Sequence, residues 1–166
     1  SPEDIEKLLQ ISSPLEAVMV LLGAHSGLRI SELCNLKWSD IDWSKAKLRI
    51  LGKGGKQATV SMSGRLEQAL KATQGLDEAR KRTKNSKDHV LPWQPDRARQ
   101  RFKQLCSLAG VEYKDKAVHG LRHGAGTRYY TQTKDLGRVA AHLRHENIQT
   151  TRIYAKLADD AIKDDL

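Results

Sequence analysis

The hydrophobic period of this 166-residue chain changes twice, and that change restricts the fold more than any other feature. From Asp40 to Met62 apolar and polar residues alternate, as in Asp-Ile-Asp-Trp (40–43), Lys-Leu-Arg-Ile-Leu (47–51) and Gln-Ala-Thr-Val-Ser (57–61). On either side, apolar residues recur at helical spacing. A period of two turns one face of a strand to a core, and a period near 3.6 does the same for a helix. Gly52-Lys53-Gly54-Gly55-Lys56 lies between two alternating runs and carries glycines suited to positive φ, so it reads as a hairpin connection. The expected fold is mainly α with a small three-stranded antiparallel sheet, an α+β arrangement.

The helical segments have legible starts. Ser1-Pro2-Glu3-Asp4 supplies a capping hydroxyl, a proline for the first turn and acids for the positive end of the dipole. A second helix from about Pro14 is apolar nearly all round at Val18, Met19, Leu21 and Leu22, which predicts a central position. Ser26-Gly27 breaks it, and a short helix from Arg29 to about Lys37 follows. After the sheet, helices are expected from Ser63 to about Thr73, along the face Ala98, Phe102, Leu105 and Ala109, and over about 118–131, 134–143 and 147–157. The polar stretch 75–89 reads as a loop or frayed helix end, and His89-Val90-Leu91-Pro92 as a short extended piece.

Lys and Arg number 29 against 20 Asp and Glu, a net charge of +9. An excess of that size attracts polyanions, of which nucleic acid is the commonest in a cell. Cys34 and Cys106 sit in apolar helical patterns without metal-ligand spacing, which reads as free buried thiols in a reducing cytoplasm. No apolar stretch reaches membrane-spanning length, and neither a metal site nor any other cofactor is expected. The chain opens Ser1-Pro2 without an initiator Met, so the expectation is one domain, residues 1–166, of a longer protein.

Five motifs follow in order: Ser26-Gly27-Leu28-Arg29-Ile30-Ser31-Glu32-Leu33, the glycine hairpin with Lys53, His119-Gly120-Leu121-Arg122-His123, Leu143-Arg144-His145, and Tyr154 nine residues after His145. Their order and spacing, from about residue 15 to residue 157, resemble those of the tyrosine recombinase (phage integrase) family. The resemblance implies a catalytic domain that breaks and rejoins double-stranded DNA as a site-specific recombinase, working as a homo-tetramer. It also implies a separate N-terminal DNA-binding domain, absent from this chain.

Roles follow from the resemblance and from residue type together. Arg29 and Arg122 are expected to clamp the non-bridging oxygens of a phosphodiester, where charge grows as a nucleophile adds. Tyr154 would be that nucleophile, with Tyr113, Tyr129 and Tyr130 as rivals. Lys53 would protonate the departing 5′ oxygen, a contribution of roughly 10²–10⁴ in rate. Lys56, three residues on, is the competing lysine and a candidate DNA contact. His119, one helical turn before Arg122, and His145 would bind the phosphate or relay a proton. His123 would brace the site from behind, and Glu32 would orient His119 or Arg29.

Two departures from the family's pattern stand out. Arg144 occupies a place where the family usually has Gly, a change expected to alter the turn and to add a DNA contact. The tail from Ala155 to Leu166 is short. Two other functions remain open at this point. One is a type IB topoisomerase, with the same chemistry on a single duplex; the other is a DNA-binding module without catalysis.

Overall fold

The computed structural model describes residues 2–52, 55–74, 88–113 and 117–144, with the backbone alone at 117–120 and 123. Seven helices and three strands lie among them: α1 Pro2–Ile11, α2 Pro14–Ala24, α3 Ile30–Asn35, β1 Ile41–Asp42, β2 Lys47–Leu51, β3 Gln57–Ser61, α4 Gly64–Gln74, α5 Pro95–Ala109, α6 Ala117–Thr133 and α7 Leu136–Leu143. The expected helix at 147–157 lies outside the described residues.

Helix α2 is the hub. Ser13 and Glu16 cap it reciprocally, Glu16 N–H donating to Ser13 Oγ at 3.3 Å and Ser13 N–H to Glu16 Oε1 at 2.9 Å. Every residue from Val18 to Ala24 is buried, as its all-round apolar pattern predicts. Helices α1, α3, α4 and α6 all pack on α2. At Gly23 a Cβ would stand 2.9 Å from Leu121 Cβ, so the missing side chain is what lets α6 approach.

The sheet is three-stranded and antiparallel, as expected, in the order β1-β2-β3, with Leu48 opposite both Ile41 and Val60. Ile41, Leu48, Ile50 and Val60 turn inward to the core, while Leu51 stays exposed. The extended piece at His89 does not join this sheet. It bridges Lys37 instead, with Trp38 N–H donating to Asp88 O at 2.8 Å and Val90 N–H to Leu36 O at 2.9 Å. That pairing, together with a 3-10 turn at Trp38–Asp40, stops α3 at Asn35 rather than near Lys37.

A main core joins α1–α5 and the sheet, and a smaller cluster of Ala125, Val139 and Leu143, flanked by Tyr129 and Tyr130, sits between α6 and α7. Cys34 and Cys106 are free and buried, and burial pushes the Cys34 thiol up to about 11 and raises that of Cys106. Such thiols stay protonated and unreactive near neutral pH. Among the described residues no helix is long and apolar enough to cross a membrane.

Candidate active site

The turn between α2 and α3 is fastened to the end of the sheet before it meets anything else. Ser26 Oγ donates to Ser61 O at 2.9 Å, and Lys47 Nζ donates to Ser61 Oγ at 2.8 Å. His25 Nδ1 and Ser63 Oγ are 2.7 Å apart. Burial, helped by the charges of Arg128 and Arg65, pushes His25 down to about 4, so it is a neutral partner at pH 7. His142 Nε2 lies 3.2 Å from His25 O, and the His142 ring stacks on Tyr129 with centroids 4.5 Å apart. Burial also lowers the His142 pKa. These two histidines are anchors that the motif reading did not single out.

Gly27 follows in the left-handed region with φ 69°. A Cβ here would stand 2.5 Å from Leu143 Cδ2, so glycine is needed both for the backbone and for the approach of α7. The turn exposes the Gly27 carbonyl to two guanidiniums. Arg122 Nη1 donates to Gly27 O at 3.0 Å, and Arg122 Nη2 donates to Leu143 O. Arg144 Nη2 lies 3.3 Å from Gly27 O and donates to Glu32 Oε1 at 2.7 Å. Arg122 is only 2% exposed. A guanidinium held on two carbonyls from separate elements has its orientation set by the fold.

Arg29 precedes α3 rather than lying inside it, with extended backbone at φ −72° and ψ 158°. Its backbone N–H donates to Glu32 Oε1 at 2.8 Å. Its guanidinium, by contrast, stands outward: the side chain is 48% exposed, and Nη1 is 3.9 Å from Glu32 Oε2. Glu32 is therefore a buried carboxylate, its side chain 4% exposed, that joins Arg29 to Arg144. Burial and the Arg29 charge pull the Arg144 pKa down while Glu32 pulls it up.

Three of the five motifs thus meet at one place, through Arg29, Glu32, Arg122 and Arg144. Glu32 meets Arg29 by accepting its backbone N–H. Arg144 takes a left-handed conformation, φ 61°, at the end of α7, and its side chain turns inward to Glu32. Lys56 is exposed at the foot of the hairpin, where Gly52 N–H donates to its carbonyl at 2.7 Å. Lys53, His145 and Tyr154 lie outside the described residues, as do the side chains of His119 and His123. Among the described residues no group of three His, Cys, Asp or Glu is placed to hold a metal ion.

Comparison with known proteins identifies the fold and the family. Tyrosine recombinase XerC of Xanthomonas campestris pv. campestris is 38% identical over 138 residues, covering 80% of this chain and 41% of that protein. The chain thus spans about two-fifths of that relative's length. The crystal structure of XerA recombinase superposes with a TM-score of 0.84 at 26% identity, over 99% of this chain and 62% of that one. The catalytic domain of bacteriophage HP1 integrase shares the fold, with a TM-score of 0.73 at 20% identity over 98% of this chain and 89% of its own. The sequence profile of the phage integrase family matches residues 1–161, so none of the described fold falls outside it, and this chain belongs to the phage integrase family.

Proposed function

We propose that this chain is the catalytic domain of a site-specific DNA recombinase, active in the cytoplasm on double-stranded DNA as a homo-tetramer. The observation that carries the reading is the convergence of Arg29 and Arg122 from separate motifs on the turn at Gly27. In this reading the Tyr154 oxygen attacks a backbone phosphorus, and the bond from phosphorus to the 5′ oxygen breaks. Lys53 gives its proton to that departing oxygen. Arg29, open to solvent, and Arg122, fixed by carbonyls, stabilise the charge gathering on the non-bridging oxygens. The bond energy is kept in the 3′-phosphotyrosyl link, so the 5′ hydroxyl can reverse the step without ATP. His119 and His145 assist at the phosphate, His123 braces them, and Lys56 contacts the DNA backbone.

Trapping on a nicked suicide duplex tests the proposal. A covalent protein–DNA adduct on a denaturing gel is expected, and recombination between two sites separates this activity from relaxation of one duplex. Absence of any adduct overturns the reading.

Lys53→Ala is expected to slow cleavage by roughly 10²–10⁴. A duplex with a 5′-bridging phosphorothiolate should recover much of that loss, because sulfur leaves with less help from an acid. Equal defects on both substrates would make Lys53 a positioning residue.

DNA binding by the chain itself should depend steeply on salt and weakly on sequence. Contacts from Arg and Lys to phosphates release counterions, and about six of them cost roughly 10³ in affinity between 50 and 200 mM salt. Titration on target and scrambled duplexes checks this, and a flat salt response refutes it.

A further inference from the structure

We propose that Arg144 is a positioning residue for Arg29, acting by neutralising Glu32 so that the Arg29 guanidinium stays turned outward. The inference rests on the recombinase reading for its activity test but not for its geometry. Glu32 is a carboxylate removed from water, three residues after Arg29 in the first turn of α3. A buried carboxylate demands a cation, and by sequence separation Arg29 is the nearest one able to supply it. Yet Arg29 meets Glu32 through its backbone N–H, at 2.8 Å, while its guanidinium remains 3.9 Å away and half exposed. The cation that compensates the charge comes from the far end of the chain: Arg144 Nη2 at 2.7 Å on the same Oε1.

The placement of Arg144 looks dedicated to this contact. Its backbone adopts the left-handed region, unusual for a residue with a Cβ, and its N–H closes α7 on Ala140 O and Ala141 O. Its side chain is 13% exposed, and Nε and Nη1 have no hydrogen-bond partner among the described residues. The guanidinium is thus held inside the protein against the Glu32 carboxylate. With Arg144 absent, Glu32 would draw the Arg29 guanidinium inward and away from the phosphate.

Arg144→Gly suits the test, because glycine adopts the left-handed conformation without strain. The variant should cleave a suicide duplex roughly 10–100-fold more slowly at saturating DNA, with DNA affinity little changed, the usual cost of losing a group that orients a reacting side chain. Adding Glu32→Gln should return most of the rate, since the amide oxygen still accepts the Arg29 N–H and no buried charge remains. Arg144→Lys should fall between the wild type and Arg144→Gly. A double variant as slow as Arg144→Gly overturns the proposal, because it means that Arg144 acts on the DNA directly or only holds the fold. If Arg144→Gly does not fold, the double variant alone decides, with a rate near the wild type expected. A readout free of activity is the Arg29 Nε–H signal in NMR, whose exchange with water should slow in Arg144→Gly. Should the wild type form no adduct, the recombinase reading fails by itself, and an unchanged Arg29 signal would then overturn the Arg144 proposal separately.

Discussion

Tyr154→Phe is expected to form no covalent adduct with a nicked suicide duplex while binding the same DNA almost as tightly as the wild type. The substitution removes only the phenolic oxygen, which is the proposed nucleophile. A phenol titrates near ~10 in water, and attack at neutral pH needs a site whose cations favour the phenolate. In the proposed site Arg29, Arg122 and Arg144 would supply three such charges against the one carboxylate of Glu32. The expected loss is complete within detection, because the covalent link forms through that oxygen. Adduct formation at the wild-type level by the Phe variant would transfer the assignment to another tyrosine. Tyr129 is the less suited of the two neighbours on α6, since its ring is stacked on His142.

Gly27→Ala should produce the largest loss of stability of any methyl added at a glycine among the described residues. Two costs coincide there. The left-handed backbone charges about 1–2 kcal/mol to a residue with a Cβ. The new methyl would also meet Leu143 Cδ2 at 2.5 Å, and overpacking of a core adds about 1–3 kcal/mol. Together these remove roughly 2–5 kcal/mol from a fold whose whole margin is about 5–15 kcal/mol, and should lower Tm by on the order of 10 °C. Gly110 supplies the control. It has nearly the same φ, 70°, but no heavy atom lies within 4 Å of its Cβ position, so Gly110→Ala meets the backbone cost alone. Urea denaturation of both variants separates strain from collision; equal losses would show that α7 moves aside freely. Gly27→Ala should also impair cleavage in the protein that remains folded, because the Gly27 carbonyl is the acceptor on which Arg122 and Arg144 meet.

Much of this site can be read from residue order, and the unreadable part has a common cause. The alternation at 47–51 and 57–61 shows which strand faces are buried, and the pairing of Leu48 with Val60 follows once the hairpin glycines set the connection. The unbroken apolar run of α2 marks it as central. In these cases the information lies in neighbours along the chain. The inward turn of Arg144 is different. Its carboxylate partner is 112 residues away, so nothing beside Arg144 distinguishes an arginine for Glu32 from an arginine for DNA. The early end of α3 has the same origin: the backbone groups of Leu36 and Trp38 pair with residues 88–90 rather than continuing a helix. His25 and His142 were unremarkable for the same reason, since their roles come from Ser63 and Tyr129. Periodicity reports that a face is covered, while the identity of the cover is decided by tertiary packing.

The Gly27 carbonyl also fixes when in the life of the chain the site can exist. It receives Arg122 across 95 residues and Arg144 across 117. Ordering contacts of that span requires large loops to close first, and they are correspondingly late events in folding. During synthesis the turn at Gly27 emerges before α6 and α7, and its carbonyl lacks both donors until their arginines have been made and packed. A nascent or truncated chain ending before residue 144 lacks the full cluster of cations. Under the proposed function, the capacity to sever DNA would thereby be tied to completion of the domain that must also reseal it.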